Sequence, residues 1–351
     1  MQNNILYLIL KTARPRQWIK NLALFAALIF SGFFFYKPEG DWCYFFTVLY
    51  AFAVFCILTS SVYIINDIID CKADSKHPFK KKRPIASGKL PIPIALFAAI
   101  TGLVTVILLS LSLSGFFRIL AFCYLGLQLL YATKIKHQPI LDVISIAAGF
   151  LIRIYAGAVV VNLHTSVWFL LTVVSCSLFL AVGKRQSEQT LMKGKNIGET
   201  RLSLKKYSQR LLDQYTSMFA NATWLSYALF TFQTNTNNMT PAYERFPELY
   251  TVLPRTLQSQ KLLMLTVPLV IFGVMRYLAL VYEENRGESP ELVLLNDKTL
   301  LTTVFTFALM ASTVFSSLPL SHSPLEKKRR QVGHCKVSRS LASKRPGWSC
   351  R

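Results

Sequence analysis

The sequence predicts an all-α membrane protein, a bundle of about nine transmembrane helices. Three observations predict it. The 351 residues are 52% hydrophobic with a mean hydropathy of +0.38, too apolar for a soluble globular domain. The apolar residues gather in runs near the ~20 residues that a helix needs to cross a bilayer. Basic residues collect in every second loop between those runs, the pattern of a multi-pass chain.

In order, the runs are 18–36, 42–65, 91–113, 115–131, 140–161, 166–182, 215–232, 262–282 and 300–320. Arg14, Arg16 and Lys20 precede the first. Lys72 to Lys89 follow the second, Lys134 and Lys136 the fourth, and Lys184 to Arg210 the sixth. The alternate loops hold little more than Lys37 and His164. The positive-inside rule therefore puts the N-terminus and the loop after the second run in the cytoplasm of a multi-pass cell (inner or plasma) membrane protein. Loop 234–261 falls outside; it is polar and offers no chemistry. The basic, Ser-rich residues 322–351 read as a disordered tail. Nine spans place that tail outside, against the charge rule.

The net charge of +22 calls for anionic partners, either lipid headgroups or phosphorylated substrates. Nucleic acid is excluded as a partner because the basic residues sit in short loops between apolar runs. The seven cysteines include no CxxC pair and read as small buried hydrophobes, not as a zinc site or disulfide frame.

The richest stretch is Asn66-Asp67-Ile68-Ile69-Asp70-Cys71-Lys72-Ala73-Asp74, followed by Lys80-Lys81-Lys82-Arg83-Pro84. On a helix the three aspartates share one face. Hard oxygen ligands there suit Mg²⁺ held jointly with substrate phosphates, and Lys and Arg are phosphate clamps. The competing reading is a solvated helix end with a positive anchor; acids at membrane depth favour function.

Further charged residues lie in or beside the runs. Lys20 and Asn21 enter the first run, where Lys20 either faces the interior or snorkels to the interface. Tyr131, Lys134, Lys136, Asp142 and Arg153 form a second group. Asp142 and Arg153 are eleven residues apart, three helical turns, with Gly149 on the same face. That small residue leaves space for a ligand or for a neighbouring helix. Gly183-Lys184-Arg185-Gln186-Ser187-Glu188 follows the sixth run, where Lys-Arg is commonly only an anchor. Glu283 to Asp297 is acidic, and a solvated loop is its favoured reading. His77 and His137 read as loop histidines.

These motifs resemble the UbiA superfamily of intramembrane prenyltransferases over residues 14–320. Asn66-Asp67-x-x-Asp70-x-x-x-Asp74 is similar to its first aspartate-rich motif. The strongest resemblance is to the branch that transfers phosphoribose to polyprenyl phosphates. It is carried by Arg14-Pro15-x-x-Trp18-x-Lys20-Asn21, His77-Pro78, Arg83-Pro84-Ile85-Ala86-x-Gly88, Lys136-x-x-Pro139-x-x-Asp142, Gly149-Phe150-x-x-Arg153, Gly183-Lys184-Arg185-x-x-Glu188 and Pro290-Glu291-x-x-Leu294-Leu295-x-Asp297. Aromatic prenyltransferases of the superfamily carry a second DxxxD motif where this chain has Gly183 to Glu188, and a basic loop suits an extra phosphate better.

The resemblance implies a catalytic domain at 1–321 around a cytoplasm-facing polar cavity, with 322–351 as an appended tail. It implies Mg²⁺-dependent transfer of 5-phosphoribose from phosphoribosyl diphosphate (PRPP) to a polyprenyl (decaprenyl-type) phosphate. Asp67, Asp70 and Asp74 would hold the metal, and Asn66 the ribose or diphosphate. Asp142 would orient ribose hydroxyls or a basic neighbour. Lys81, Lys82 and Arg83 would bind PRPP. Lys20, Lys136, Arg153, Lys184 and Arg185 would bind the second phosphate and the lipid headgroup, with Asn21, Tyr131 and Glu188 as further substrate-binding residues. Two alternatives stand beside this. One is prenyl transfer from a prenyl diphosphate to an aromatic acceptor; the other is a transporter, against which no inverted repeat is evident.

Overall fold

The computed structural model describes residues 5–31, 33–34, 36–38, 42–76, 80–192, 207–233, 262–284, 293 and 296–316. Contacts divide the chain into two units, and the helices below belong to the first, Met1–Asn235 with Lys261–Phe315. The predicted tail and the 234–261 loop lie outside the described residues, as do His77, Pro78 and Pro290 to Leu292.

Among the described residues, each predicted run is largely helical. After α1 (Ile5–Ala13), the first run is a 3-10 segment (Pro15–Phe25) leading into α2 (Ala26–Ser31). Then come α3 (Tyr44–Ile69), the short α4 (Cys71–Lys76), α5 (Ile92–Ser110), α6 (Gly115–Thr133) and α7 (Leu141–Val160). They are followed by α8 (Val167–Met192), α9 (Gln209–Gln233), α10 (Val267–Tyr282) and α11 (Lys298–Ser316). Six described helices are long and apolar enough to cross a membrane.

The helix α3 is the centre. Its apolar window is 61% buried, against 17% for α5, because α1, the 3-10 segment, α5, α6 and α7 all pack on it. Leu24, Leu28, Val48, Phe55, Phe117 and Tyr124 form the shared core. Lipid offers helices no hydrophobic drive to associate, so small residues set the close approaches. Gly157 of α7 is one: a Cβ there would run into the Leu24 carbonyl. A second core, with Phe179, Tyr277 and Leu280, joins α8 to α9 and α10.

Two boundaries differ from the sequence reading. The sixth run ends at 182 by hydropathy, yet α8 continues to Met192, so Gly183 to Glu188 lies within a helix. The seventh begins at 209 instead of 215. At the end of α8, Arg185 is neutralised by Asp142 of α7, and at the start of α9, Asp213 accepts from Gln186 of α8 and Tyr282 of α10, so both helices extend past their apolar cores.

Candidate active site

The end of α3 gathers three carboxylates and three cations. Asp67 Oδ1 accepts from Arg14 Nη2 at 2.6 Å and from Arg83 Nη1 at 3.1 Å. The same Arg83 nitrogen donates to Asp74 Oδ2 at 2.5 Å. Asp70 instead pairs with Lys136. Helix geometry accounts for the split. At about 100° per residue, seven residues bring Asp74 back to within ~20° of Asp67, whereas three leave Asp70 ~60° away. The expected single face is therefore a pair, Asp67 and Asp74, with Asp70 beside it. Backbone bonds from Asp70 N to Asn66 O and from Asp74 N to Asp70 O carry the turn through the α3–α4 junction.

The first run supplies the wall of this cluster. Trp18 Nε1 donates to Ser60 Oγ at 2.9 Å, and Asn21 Nδ2 donates to Thr59 Oγ1 at 3.1 Å, stitching the 3-10 segment to α3. Asn21 is fully buried, while Lys20 and Asn66 are half-buried. Arg14, just ahead of Pro15, has a left-handed backbone, φ 54° and ψ 62°. It lays its guanidinium 5.3 Å from the Tyr63 ring centre. Lys81 and Lys82 are exposed on a short 3-10 turn.

A second cluster lies between α7, α8 and the start of α9. Asp142 Oδ2 accepts from Arg185 Nε at 2.9 Å, and Arg185 Nη1 donates to Glu188 Oε2 at 2.5 Å. The Tyr207 hydroxyl donates to Asp142 Oδ1 at 2.9 Å and accepts from Ile140 N at 2.5 Å. Ile140 has a positive φ of 67°, an outlier for a β-branched residue, at the N-cap of α7. Burial pushes the Tyr207 phenol well above its usual range, and the adjacent Asp142 carboxylate adds to this. Tyr131 is an electrostatic neighbour of Arg185. Tyr131, Lys184 and Glu188 are half-buried. Asp142 thus takes a basic neighbour, one of the two roles the sequence left open.

Arg153 stands apart. Its Nε donates to Asn21 Oδ1 at 2.9 Å, its Nη1 to Gly149 O at 3.0 Å and its Nη2 to Tyr124 OH at 2.7 Å. The Tyr124, Phe150 and Phe55 rings surround it. Among the described residues no carboxylate pairs with it. The space beside Gly149 is taken by Arg153 itself and by Tyr124 and Gln128 of α6, so the small residue admits a neighbouring helix. Asp297 pairs with Arg276 at 2.6 Å and caps α11 by accepting from Leu300 N, a structural duty.

The UbiA prenyltransferase family model matches residues 23–295. The chain belongs to the UbiA prenyltransferase family. A decaprenyl-phosphate phosphoribosyltransferase of Mycolicibacterium smegmatis is 38% identical over 67% of this chain and 73% of its own length. One of Corynebacterium glutamicum is 34% identical over 83% and 81%. A solved structure of a UbiA homolog from Archaeoglobus fulgidus, bound to GPP and Mg²⁺, has a TM-score of 0.60 at 16% identity, covering 88% of this chain and 99% of that one. As a UbiA family member, the protein is a multi-pass membrane transferase.

In this UbiA chain no group of three His, Cys, Asp or Glu side chains stands at metal-binding distance among the described residues. The donor chemistry nevertheless fits Mg²⁺. Asp67 and Asp74 converge on a single nitrogen of Arg83, and one or two carboxylates plus substrate phosphates is the usual protein share of a Mg²⁺ site. Sequence reasoning missed two residues. Arg14 was legible only as part of its motif, and its signal was a basic residue directly before the proline that opens the first run. Tyr207 carried no sequence signal, since its partners are 65 and 67 residues away.

Proposed function

We propose that this transferase moves 5-phosphoribose from PRPP to a polyprenyl (decaprenyl-type) phosphate, releasing diphosphate. The observation that carries the reading is the Asp67–Asp70–Asp74 cluster ringed by Arg14, Arg83 and Lys136. The relatives named decaprenyl-phosphate phosphoribosyltransferase support phosphoribosyl transfer to a decaprenyl phosphate. A lipid-phosphate oxygen forms a bond to C1 of the ribose while the bond from C1 to the diphosphate oxygen breaks, and the electron pair leaves with diphosphate. The attacking phosphate is already ionised at neutral pH, so no general base is needed. Charge builds on the leaving group, and fixed cations are the largest available source of catalysis. Arg83, Lys136, Lys81 and Lys82 grip diphosphate oxygens. Mg²⁺, held by Asp67 and Asp74 with Asp70 at their side, supplies further neutralisation of the diphosphate when bound.

Asn66 hydrogen-bonds the ribose or diphosphate. Lys20, Tyr131 and Lys184 are half-buried and meet the second phosphate or lipid headgroup. Arg185, Glu188, Arg153 and Asn21 shape the wall through the bonds they already make. The catalytic domain is 1–321, open to the cytoplasmic face of the cell membrane, and 322–351 is an appendage. The test is incubation of membranes with labelled PRPP and polyprenyl phosphate, with and without Mg²⁺. Label in the lipid phase only with Mg²⁺ is the expected result. A prenylated aromatic product from prenyl diphosphate, with no PRPP turnover, overturns it.

A further inference from the structure

The aspartate cluster balances itself. Asp67, Asp70 and Asp74 carry three negative charges, and Arg14, Arg83 and Lys136 bring three positive ones, so the group in direct contact sums to zero. Asp67 and Asp74 are almost fully buried, yet the cations that hold them are reachable from water. The Arg14 and Arg83 side chains are 27% and 26% exposed, and that of Lys136 is 12%. A metal ion arriving alone meets no net charge and finds the Asp67 oxygens already accepting from two guanidinium groups. A diphosphate arriving alone must pull the cations from buried carboxylates and leave those unpaired, which is costly. Arriving together, each ligand takes the partners that the other releases.

A second observation singles out Arg14. It holds a left-handed backbone directly before proline, a position where L-residues other than Asn and Asp are strained and where the following ring favours extended backbone. Such a conformation persists only where its surroundings over-determine it. Here the Asp67 pair and the Tyr63 ring do so.

We infer that Arg14, with Arg83 and Lys136, is a resident counter-ion of the metal carboxylates, so that the divalent cation and the diphosphate-bearing donor bind cooperatively and neither binds well alone. This rests on the metal reading given above. It makes Arg14 a positioning residue that holds Asp67 closed to a lone metal and turns to phosphate oxygens when the metal takes the carboxylate.

The test is Mn²⁺ uptake by the purified full chain in detergent, read by electron paramagnetic resonance with and without inorganic diphosphate. The variants are Arg14→Asn, in which asparagine tolerates the left-handed backbone, and Lys136→Gln, which frees Asp70 should the first fail to fold. Without diphosphate, each variant is expected to bind Mn²⁺ more tightly than the wild type, on the order of tenfold. Diphosphate is expected to strengthen binding by the wild type far more than by the variants. If the wild type takes up Mn²⁺ with diphosphate but the variants bind the lone ion no more tightly, the counter-ion role falls and the metal reading stands. If no protein takes up Mn²⁺ under any condition, the metal reading falls as well.

Discussion

Two ionic clusters use the same chemistry at different depths. At the end of α3, carboxylates meet cations whose side chains are 12–27% exposed. Between α7 and α8, Asp142 and Arg185 are 0% and 1% exposed. The first can exchange partners, because water and a ligand reach its cations, and a metal that arrives with the ligand can take the buried carboxylates they release. The second cannot, because separating it leaves a charge unpaired inside the bundle. On the proposed reading, the first is the centre that opens to substrate and the second fixes the helices around it. Ion pairing alone does not mark an active site; the accessibility of the cation distinguishes the two.

The comparison breaks first at Asp67. Asp67→Asn and Asp70→Asn are each expected to lower turnover by roughly a hundredfold or more, in line with losing transition-state charge stabilisation worth ~3 kcal/mol. Melting temperature in detergent should hold near the wild-type value, since Arg83 keeps Asp74. Near-normal turnover in either variant would move the exchangeable centre elsewhere.

The opposite outcome is expected at Arg185. Arg185→Gln strands Asp142 in the bundle, and removing one partner of a buried pair costs about 3–5 kcal/mol. Thermal unfolding and the yield of folded protein should both drop. The double variant Arg185→Gln with Asp142→Asn should lose less than the sum of the single changes, because it leaves no lone carboxylate. Retained stability with lost PRPP binding would instead place Arg185 on the substrate.

Much of this contrast was legible in the sequence. Among the described residues each of the nine runs holds helical turns and six helices are long and apolar enough to span, and Asn66 to Asp74 pointed to the ionic cluster at the end of α3 because acids at the end of an apolar run are costly without a purpose. Pairing was not legible. Arg185 looked like an interfacial anchor, since hydropathy ends its helix at 182, and only Asp142 on another helix, 43 residues away, lets it go deeper. Arg153 and Asp142 do share the buried face that their spacing predicts, yet they turn to different helices. Spacing within one helix gives the direction of a side chain and says nothing of what waits there.

Arg153 sharpens the comparison, for it is deep like Arg185 but bonded to neutral acceptors. Lysine cannot reproduce its three-way fork, and each charged hydrogen bond lost is worth ~1.5–3 kcal/mol. Arg153→Lys is expected to lower thermal stability by about that amount while leaving the Michaelis constants for PRPP and lipid phosphate unchanged. A raised Michaelis constant with unchanged stability would make it a ligand contact.

The smallest effect is expected at Tyr207, and it tests whether the buried cluster is held from outside α7 and α8. Its hydroxyl donates to Asp142 and accepts from the Ile140 amide at a strained helix start. Tyr207→Phe removes both bonds, one neutral and one to a carboxylate that keeps Arg185, and should cost about 1.5 kcal/mol, the low end for a hydrogen bond to a charged group. The pH dependence separates this from a simple loss of packing. The folded protein holds the phenol protonated above the usual tyrosine value of about 10, by burial first and by Asp142 next. A raised folded value means that the native state binds the proton more tightly, so its contribution is complete below the unfolded value. That contribution is lost as pH climbs through it toward the folded one. Wild-type stability should therefore fall from neutral pH to pH ~11 more steeply than that of Tyr207→Phe, which has no such proton to lose. Parallel curves for the two proteins would show that the hydroxyl does not hold Asp142 in place, and that the α7–α8 pair sustains the cluster unaided.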